Sequence, residues 1–245
     1  MMKRIFIVTI LFAILSLGVT GCIQKEPTQN NRGRNTNDAA LEYMEQKYGE
    51  KFEFVAPWGD SMTGDHELMV TCESLAGERI IVKVDDYKTE NRVFHDNYVA
   101  VKYYEETVEF LRQCTNEVFG DSKVFYSVAR SALSPELPAD ASFEEYFADE
   151  KCFISAYIAV KESDFTSKEQ AADVMEPIFS ACGAEYIGIL LVVVDDDEYE
   201  FLDHDILEEK VVQGQFVHCA RLTRQKDGSE TLDWLKAGVP LISNY

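Results

Sequence analysis

The chain has 245 residues, of which 46% are apolar and 12% aromatic, with 23 basic residues against 44 acidic ones and a formal charge of -21. That composition is enough for a buried core in one domain or two small ones. The acidic balance excludes a basic footprint of the kind that displaces counterions from nucleic acid, so no nucleic-acid partner is expected.

Lys3 and Arg4 precede an apolar run over residues 5–19, interrupted only by Thr9, Ser16 and Gly18. A charged start and a short apolar stretch make a secretory signal; about 20 apolar residues would be needed to span a bilayer. Val19-Thr20-Gly21-Cys22 follows directly. This tetrad resembles the lipobox of bacterial lipoproteins, in which small residues fit the signal peptidase and the cysteine thiol accepts a diacylglyceryl group. The resemblance implies cleavage before Cys22, lipidation of Cys22, and a partner in the membrane itself at its extracytoplasmic face. Two acyl chains give stable anchoring where one is marginal. Cleavage removes Lys3 and Arg4 and no acid, so the mature chain is more acidic by two charges.

Residues 24–37 read QKEPTQNNRGRNTN, too polar to bury a core, and are expected to form a disordered tether. The expected organisation is a signal peptide at 1–21, a lipid-anchored linker at 22–37 and a globular domain at 38–245, with a sub-boundary near 120–123. Asn37 reads as an N-cap for a helix carrying Leu41, Met44 and Tyr48 and stopping at Gly49. A strand over 52–55 leads to a turn through Gly59 and Gly64. Residues 66–84 then read as a hairpin, with Leu68, Val70 and Cys72 alternating before a turn at Gly77. Residues 97–119 carry Val101, Tyr104, Val108, Leu111, Cys114 and Val118 at helical spacing, with Gly120 as the stop.

The second half alternates. A strand over 124–132, a loop holding Pro135 and Pro138, and a short helix over 143–147 are followed by a strand at 152–160. Thr166 and Glu169 have capping-box spacing before a helix with Ala171, Met175, Ile178 and Cys182 on one face and Gly183 at its end. Residues 186–194 are almost wholly apolar, as in a strand covered on both faces, so 152–194 is a candidate βαβ unit, a split arrangement being equally allowed. A last strand is expected over 215–224. The fold class is α+β, with mixed or antiparallel sheets packed with amphipathic helices.

Two stretches, ALEYMEQKYGEKFEFV at 40–55 and FHDNYVAVKYYEE at 94–106, resemble uncharacterised lipoproteins of Gram-positive anaerobic bacteria. The resemblance implies a small surface lipoprotein domain and brings no functional residues with it.

Gly59-Asp60-Ser61 is similar to the nucleophile block of GDSL-type esterases, which also need a late D-x-x-H. The residues three before His66, His95, His204 and His218 are Thr63, Arg92, Phe201 and Gln215, so the block reads as a glycine-rich turn. His66-Glu67 opens a zincin pattern that Val70 breaks, in a segment alternating like a strand. His218 and Cys219 adjoin in a strand and point to opposite faces, which does not suit a shared ion. Five cysteines other than Cys22 remain, and Cys72, Cys114, Cys152, Cys182 and Cys219 are expected as mostly reduced core thiols. Residues 195–209 hold nine carboxylates and no Lys or Arg. With Glu200 where an EF-hand loop needs glycine, the run reads as a solvated loop after a buried strand. The expectation is a non-enzymatic binding or accessory module on a lipid anchor, with no catalytic residue, metal or cofactor. A GDSL-type envelope hydrolase using Ser61 and a cation-binding or structural envelope protein are the alternatives.

Overall fold

The computed structural model describes residues 36–60, 66–85, 91–128 and 133–240. The proposed lipidation site Cys22, Ser61, Gly64 and the signal and tether segments before residue 36 lie outside the described residues. Residues 34–245 make one compact unit of α+β class.

Its first half is an antiparallel meander of β1 (Phe52–Asp60), β2 (His66–Cys72), β3 (Ile80–Asp85) and β4 (Val93–Asp96), paired in that order. β2 and β3 form the expected hairpin, with His66 opposite Val84 and Val70 opposite Ile80. The alternation works as the pleat requires: Leu68, Val70, Ile80, Val82 and Val84 are buried on one face. Helix α1 (Thr36–Tyr48) packs Ala39, Ala40 and Met44 into that face and ends at Gly49, whose φ of 72° only glycine adopts cheaply. Asn37 is not the N-cap. It lies inside the first turn, and its side-chain oxygen meets His66 Nε2 at 3.2 Å, so the side chain ties the helix to β2. β1 also runs past Gly59 to Asp60 where a turn was expected. Two register shifts, between Phe54 and Ala56 and between Pro57 and Gly59, leave Val55 and Trp58 as the extra residues of an edge strand that also tolerates Pro57.

The long helix expected over 97–119 is two helices, α2 (Tyr98–Lys102) and α3 (Tyr104–Phe119). Tyr103 breaks the run at φ -101° and ψ 24°. Its hydroxyl donates to the Ala141 carbonyl at 2.7 Å and its ring stacks on Tyr146, contacts a straight helix would not give it. Gly120, at φ 80°, stops α3 as its place in the sequence requires.

The second sheet has five strands in the order β5 (Lys123–Tyr126), β6 (Phe153–Lys161), β7 (Tyr186–Val194), β8 (His218–Arg224) and β9 (Glu230–Leu235). β6 and β7 are parallel neighbours and the other pairs antiparallel, so the βαβ unit is realised without strands between its arms. β5 is shorter than expected, ending at Tyr126. The chain leaves it for the first sheet: Val128 accepts from the Asn97 amide, and Leu133 N–H donates to Asp96 at 3.0 Å. Residues 129–132 lie outside the described residues. Helix α4 (Phe143–Ala148) carries a full capping box between Ser142 and Glu145. Helix α5 (Gln170–Ala181) lacks the expected Thr166–Glu169 capping box: its N-cap is Glu169, without a side-chain cap bond, and Gln170 Oε1 instead ties down the preceding loop, accepting from the backbone N–H of Thr166 at 2.7 Å and of Ser167 at 3.1 Å. Gly183 follows α5 for a packing reason, since an added Cβ would come within 2.2 Å of the Ala148 carbonyl oxygen.

One face of the second sheet shares a continuous core with the first, through Ile154, Ile158, Ile189 and Leu191. The other face carries a separate cluster of Ala159, Val192, Val194, Leu207, Val211 and Cys219. Covering β7 on both sides is what its unbroken apolar run demands. The cover on the second face comes from the acidic run, which is not a solvated loop. It forms α6 (Asp196–Tyr199) and α7 (His204–Gln213), and Tyr199, Leu202 and Leu207 turn inward among the carboxylates.

Candidate functional site

The sequence-derived candidates are dispersed. His66 is on β2, His95 on β4, His204 at the start of α7 and His218 on β8. His66-Glu67 lies in a strand, as its alternation implies. His218 packs against the rings of Phe165 and Trp234, whereas Cys219 sits in the cluster on the opposite face.

The acidic run spends its carboxylates on structure. Asp203 caps α7 by accepting from Ile206 N–H at 2.8 Å, and Asp196 accepts from Ser163 N–H at 3.0 Å, which holds its carboxyl below the usual aspartate range. Glu198 pairs with Lys210 at 2.8 Å and Glu200 with Lys161 at 3.5 Å. Among the described residues no group of three His, Cys, Asp or Glu side chains has metal-binding geometry. Glu198 and Lys210, with Val194 and Gln215, also line an open cleft of about 290 Å³ at the C-terminal end of β7.

Two buried polar clusters were not anticipated. The first joins the two segments that carry the lipoprotein resemblance. Asp96, at the end of β4, is 2% exposed and accepts from Tyr43 Oη at 2.9 Å, Tyr48 Oη at 2.6 Å, Lys47 Nζ at 2.9 Å and the Tyr98 backbone N–H at 3.0 Å. Tyr43 and Lys47 lie one turn apart on α1, and Tyr48, its last residue, joins them at Asp96. Burial, and then the Asp96 charge, push both tyrosine phenols well above their ordinary range. Next to this hub Glu50 accepts from Tyr98 Oη and Ser74 Oγ, both at 2.7 Å. Although desolvation raises the Glu50 carboxyl, these two bonds, with the Ser74 backbone N–H and the Cys72 thiol, lower the value overall. Burial and Glu50 together push the Tyr98 phenol up to about 12. The hub is a saturated one, holding α1, β4 and α2 together.

The second cluster is chemical rather than ionic. Cys152, just before β6, and Cys182, at the end of α5, are both buried free thiols, close enough for each to shift the other's ionisation. Tyr146 reaches Cys152 from α4, and its hydroxyl lies 3.1 Å from that of Tyr126. Arg224 of β8 closes the far side. Its Nη1 donates to the Cys182 carbonyl at 2.6 Å, and its Nη2 to the Phe179 carbonyl and, at 2.7 Å, to Glu230. A guanidinium on the last carbonyls of a helix satisfies groups that the helix leaves unpaired. The five thiols are all buried and free, as the apolar placement of their positions implies. Their sequence positions could not reveal that Cys152 and Cys182 meet, because the contact forms across the βα connection.

No family model matches this chain, and no curated protein matches it. Among solved structures it is similar to a DUF5037 family protein from Ruminococcus gnavus ATCC 29149, at 14% identity and a TM-score of 0.40, over 81% of this chain and 94% of that one.

Proposed function

We propose that the chain is an exported lipoprotein, held at the extracytoplasmic face of a membrane by lipid on Cys22, and that its α+β domain is a non-enzymatic binding or accessory module. The observation that carries this reading is Val19-Thr20-Gly21-Cys22 standing at the end of the apolar run over residues 5–19. Placing the domain on a membrane needs that lipid, since a domain this acidic is repelled by anionic lipid surfaces. The module reading is supported by how the buried reactive groups are used: the Asp96 carboxylate and the Tyr43 and Tyr48 phenols bond to one another and join α1 to β4. Cys22→Ser tests the anchor. Loss of label from a palmitate analogue, together with release from the membrane fraction or an uncleaved precursor, is expected. A mature-length chain that still partitions with membranes would refute it. A fluorophosphonate adduct on Ser61 in the wild-type protein would replace the module with a hydrolase.

A further inference from the structure

We propose that Cys152 and Cys182 are a redox pair that closes into an intramolecular disulfide, tying the start of β6 to the C-terminal end of α5. The backbone already brings the two segments side by side. Gly183 N–H donates to the Phe147 carbonyl at 2.9 Å and Glu185 N–H to the Glu150 carbonyl at 3.0 Å, so residues 147–150 and 183–185, which adjoin Cys152 and Cys182 along the chain, are held against each other. Immediately beyond, Phe153 pairs with Tyr186 in the parallel ladder. Gly183 lets the two chains approach this closely, since any Cβ there would strike Ala148. The side chains of Cys152 and Cys182 face each other closely enough for each to shift the other's ionisation, at 1% and 3% exposure.

The surroundings assign different roles to the two sulfurs. Cys182 is held below the usual thiol range by the Cys152 thiol donating to it, aided by the Ala184 N–H and the Arg224 charge and opposed by burial. Cys152 is pushed the other way, by the same hydrogen bond and then by burial. The Arg224 guanidinium, which donates to the Cys182 carbonyl at 2.6 Å, puts a positive charge beside Cys182, so the attack is assigned to Cys182 and the resolution to Cys152. The oxidant is a low-molecular-weight disulfide. Cys182 Sγ attacks one of its sulfurs and expels a thiolate, which takes a proton from water. Cys152, giving up its proton, then attacks Cys182 Sγ in the mixed disulfide and expels the second thiol. Two protein thiols are oxidised and one small disulfide is reduced to two thiols. Access comes from α5 itself. Pro177 lies inside that helix and has no N–H to give the Asp173 carbonyl, which weakens α5 one turn before Cys182. The oxidising surroundings that would keep the pair closed in the cell rest on the export reading, but the reaction does not.

The test uses the full-length protein in detergent, incubated with glutathione disulfide, quenched with N-ethylmaleimide under denaturing conditions and digested with trypsin. The five domain cysteines fall on separate tryptic peptides, Cys152 on 152–161 and Cys182 on 169–210. The expected result is a cross-linked 152–161/169–210 species lacking two hydrogens, with alkylation of both cysteines falling about tenfold while Cys72, Cys114 and Cys219 stay alkylated. In Cys152→Ala, glutathione should remain trapped on Cys182. Recovery of Cys152 and Cys182 fully alkylated, or linked to other cysteines, overturns the proposal, and this readout on the wild-type chain needs no variant to fold. Glutathione accumulating on Cys152 in Cys182→Ala as fast as on Cys182 in Cys152→Ala would overturn the assignment of roles. Acylation of Cys22 is scored in the same digest, so a failed anchor and a failed thiol pair are told apart.

Discussion

The two sheets solve the same problem by different means. The meander β1–β4 keeps one face buried and half-exposes the other, as the alternating burial along β3 shows, and it fastens its covering helix with a buried carboxylate bonded by Tyr43, Lys47 and Tyr48. The five-stranded sheet is covered on both faces around β7, and its second cover, α6 and α7, is fastened by apolar contact beneath a shell of carboxylates. The difference teaches that a polar residue's exposure follows from what its neighbours bury. Asp96 is interior because four donors converge on it, whereas the acids of 195–209 stay at the surface while Tyr199, Leu202 and Leu207 between them go inside.

The sharpest way to break this comparison is Asp96→Ala. Removing one partner of a buried ion pair strands Lys47 and two hydroxyls, and urea unfolding should show a loss of about 3–5 kcal/mol. A loss of less than about 1 kcal/mol, the ordinary yield of an exposed pair, would mean the hub fastens nothing. Next in size, Leu207→Ala in α7 removes a side chain that is fully buried on the second face and should cost about 2–5 kcal/mol. Ile206→Ala, at a neighbour 40% exposed, should cost about 0.5 kcal/mol or less. Equal costs at the two positions would return residues 195–209 to a solvated loop. The smallest expected effect is that of calcium. Because Asp196, Glu198, Glu200 and Asp203 are already committed to N–H groups and lysines, calcium and sodium at matched ionic strength should move the melting temperature alike. A calcium-specific rise, abolished by changing Asp195, Asp197 and Glu200 to amides, would show that the shell binds the ion.

Chain-local physics was legible in the sequence. The α+β class, the hairpin at 66–84, the stops at Gly49 and Gly120, the βαβ unit and the double covering of β7 all follow from periodicity and backbone sterics, which act between near neighbours. The proposed lipobox at Val19-Thr20-Gly21-Cys22 is a local signal of the same kind, a contiguous segment for a peptidase and an acyl transferase to read. Tertiary structure alone decided the rest. The helix break at Tyr103 coincides with its contacts to Ala141 and Tyr146, and Gln170 turns back to bond the loop N–H groups of Thr166 and Ser167 where a Thr166–Glu169 box was expected. Counting charges across 195–209 hid two helices, because Tyr199, Leu202, Leu207 and Val211 reveal their purpose only when the second face of β7 needs a cover. Asp96 beside Tyr43, Lys47 and Tyr48, and Cys152 beside Cys182, are contacts between residues far apart along the chain. No local pattern encodes such a contact, because the partner that makes it favourable arrives only when the sheets and helices pack.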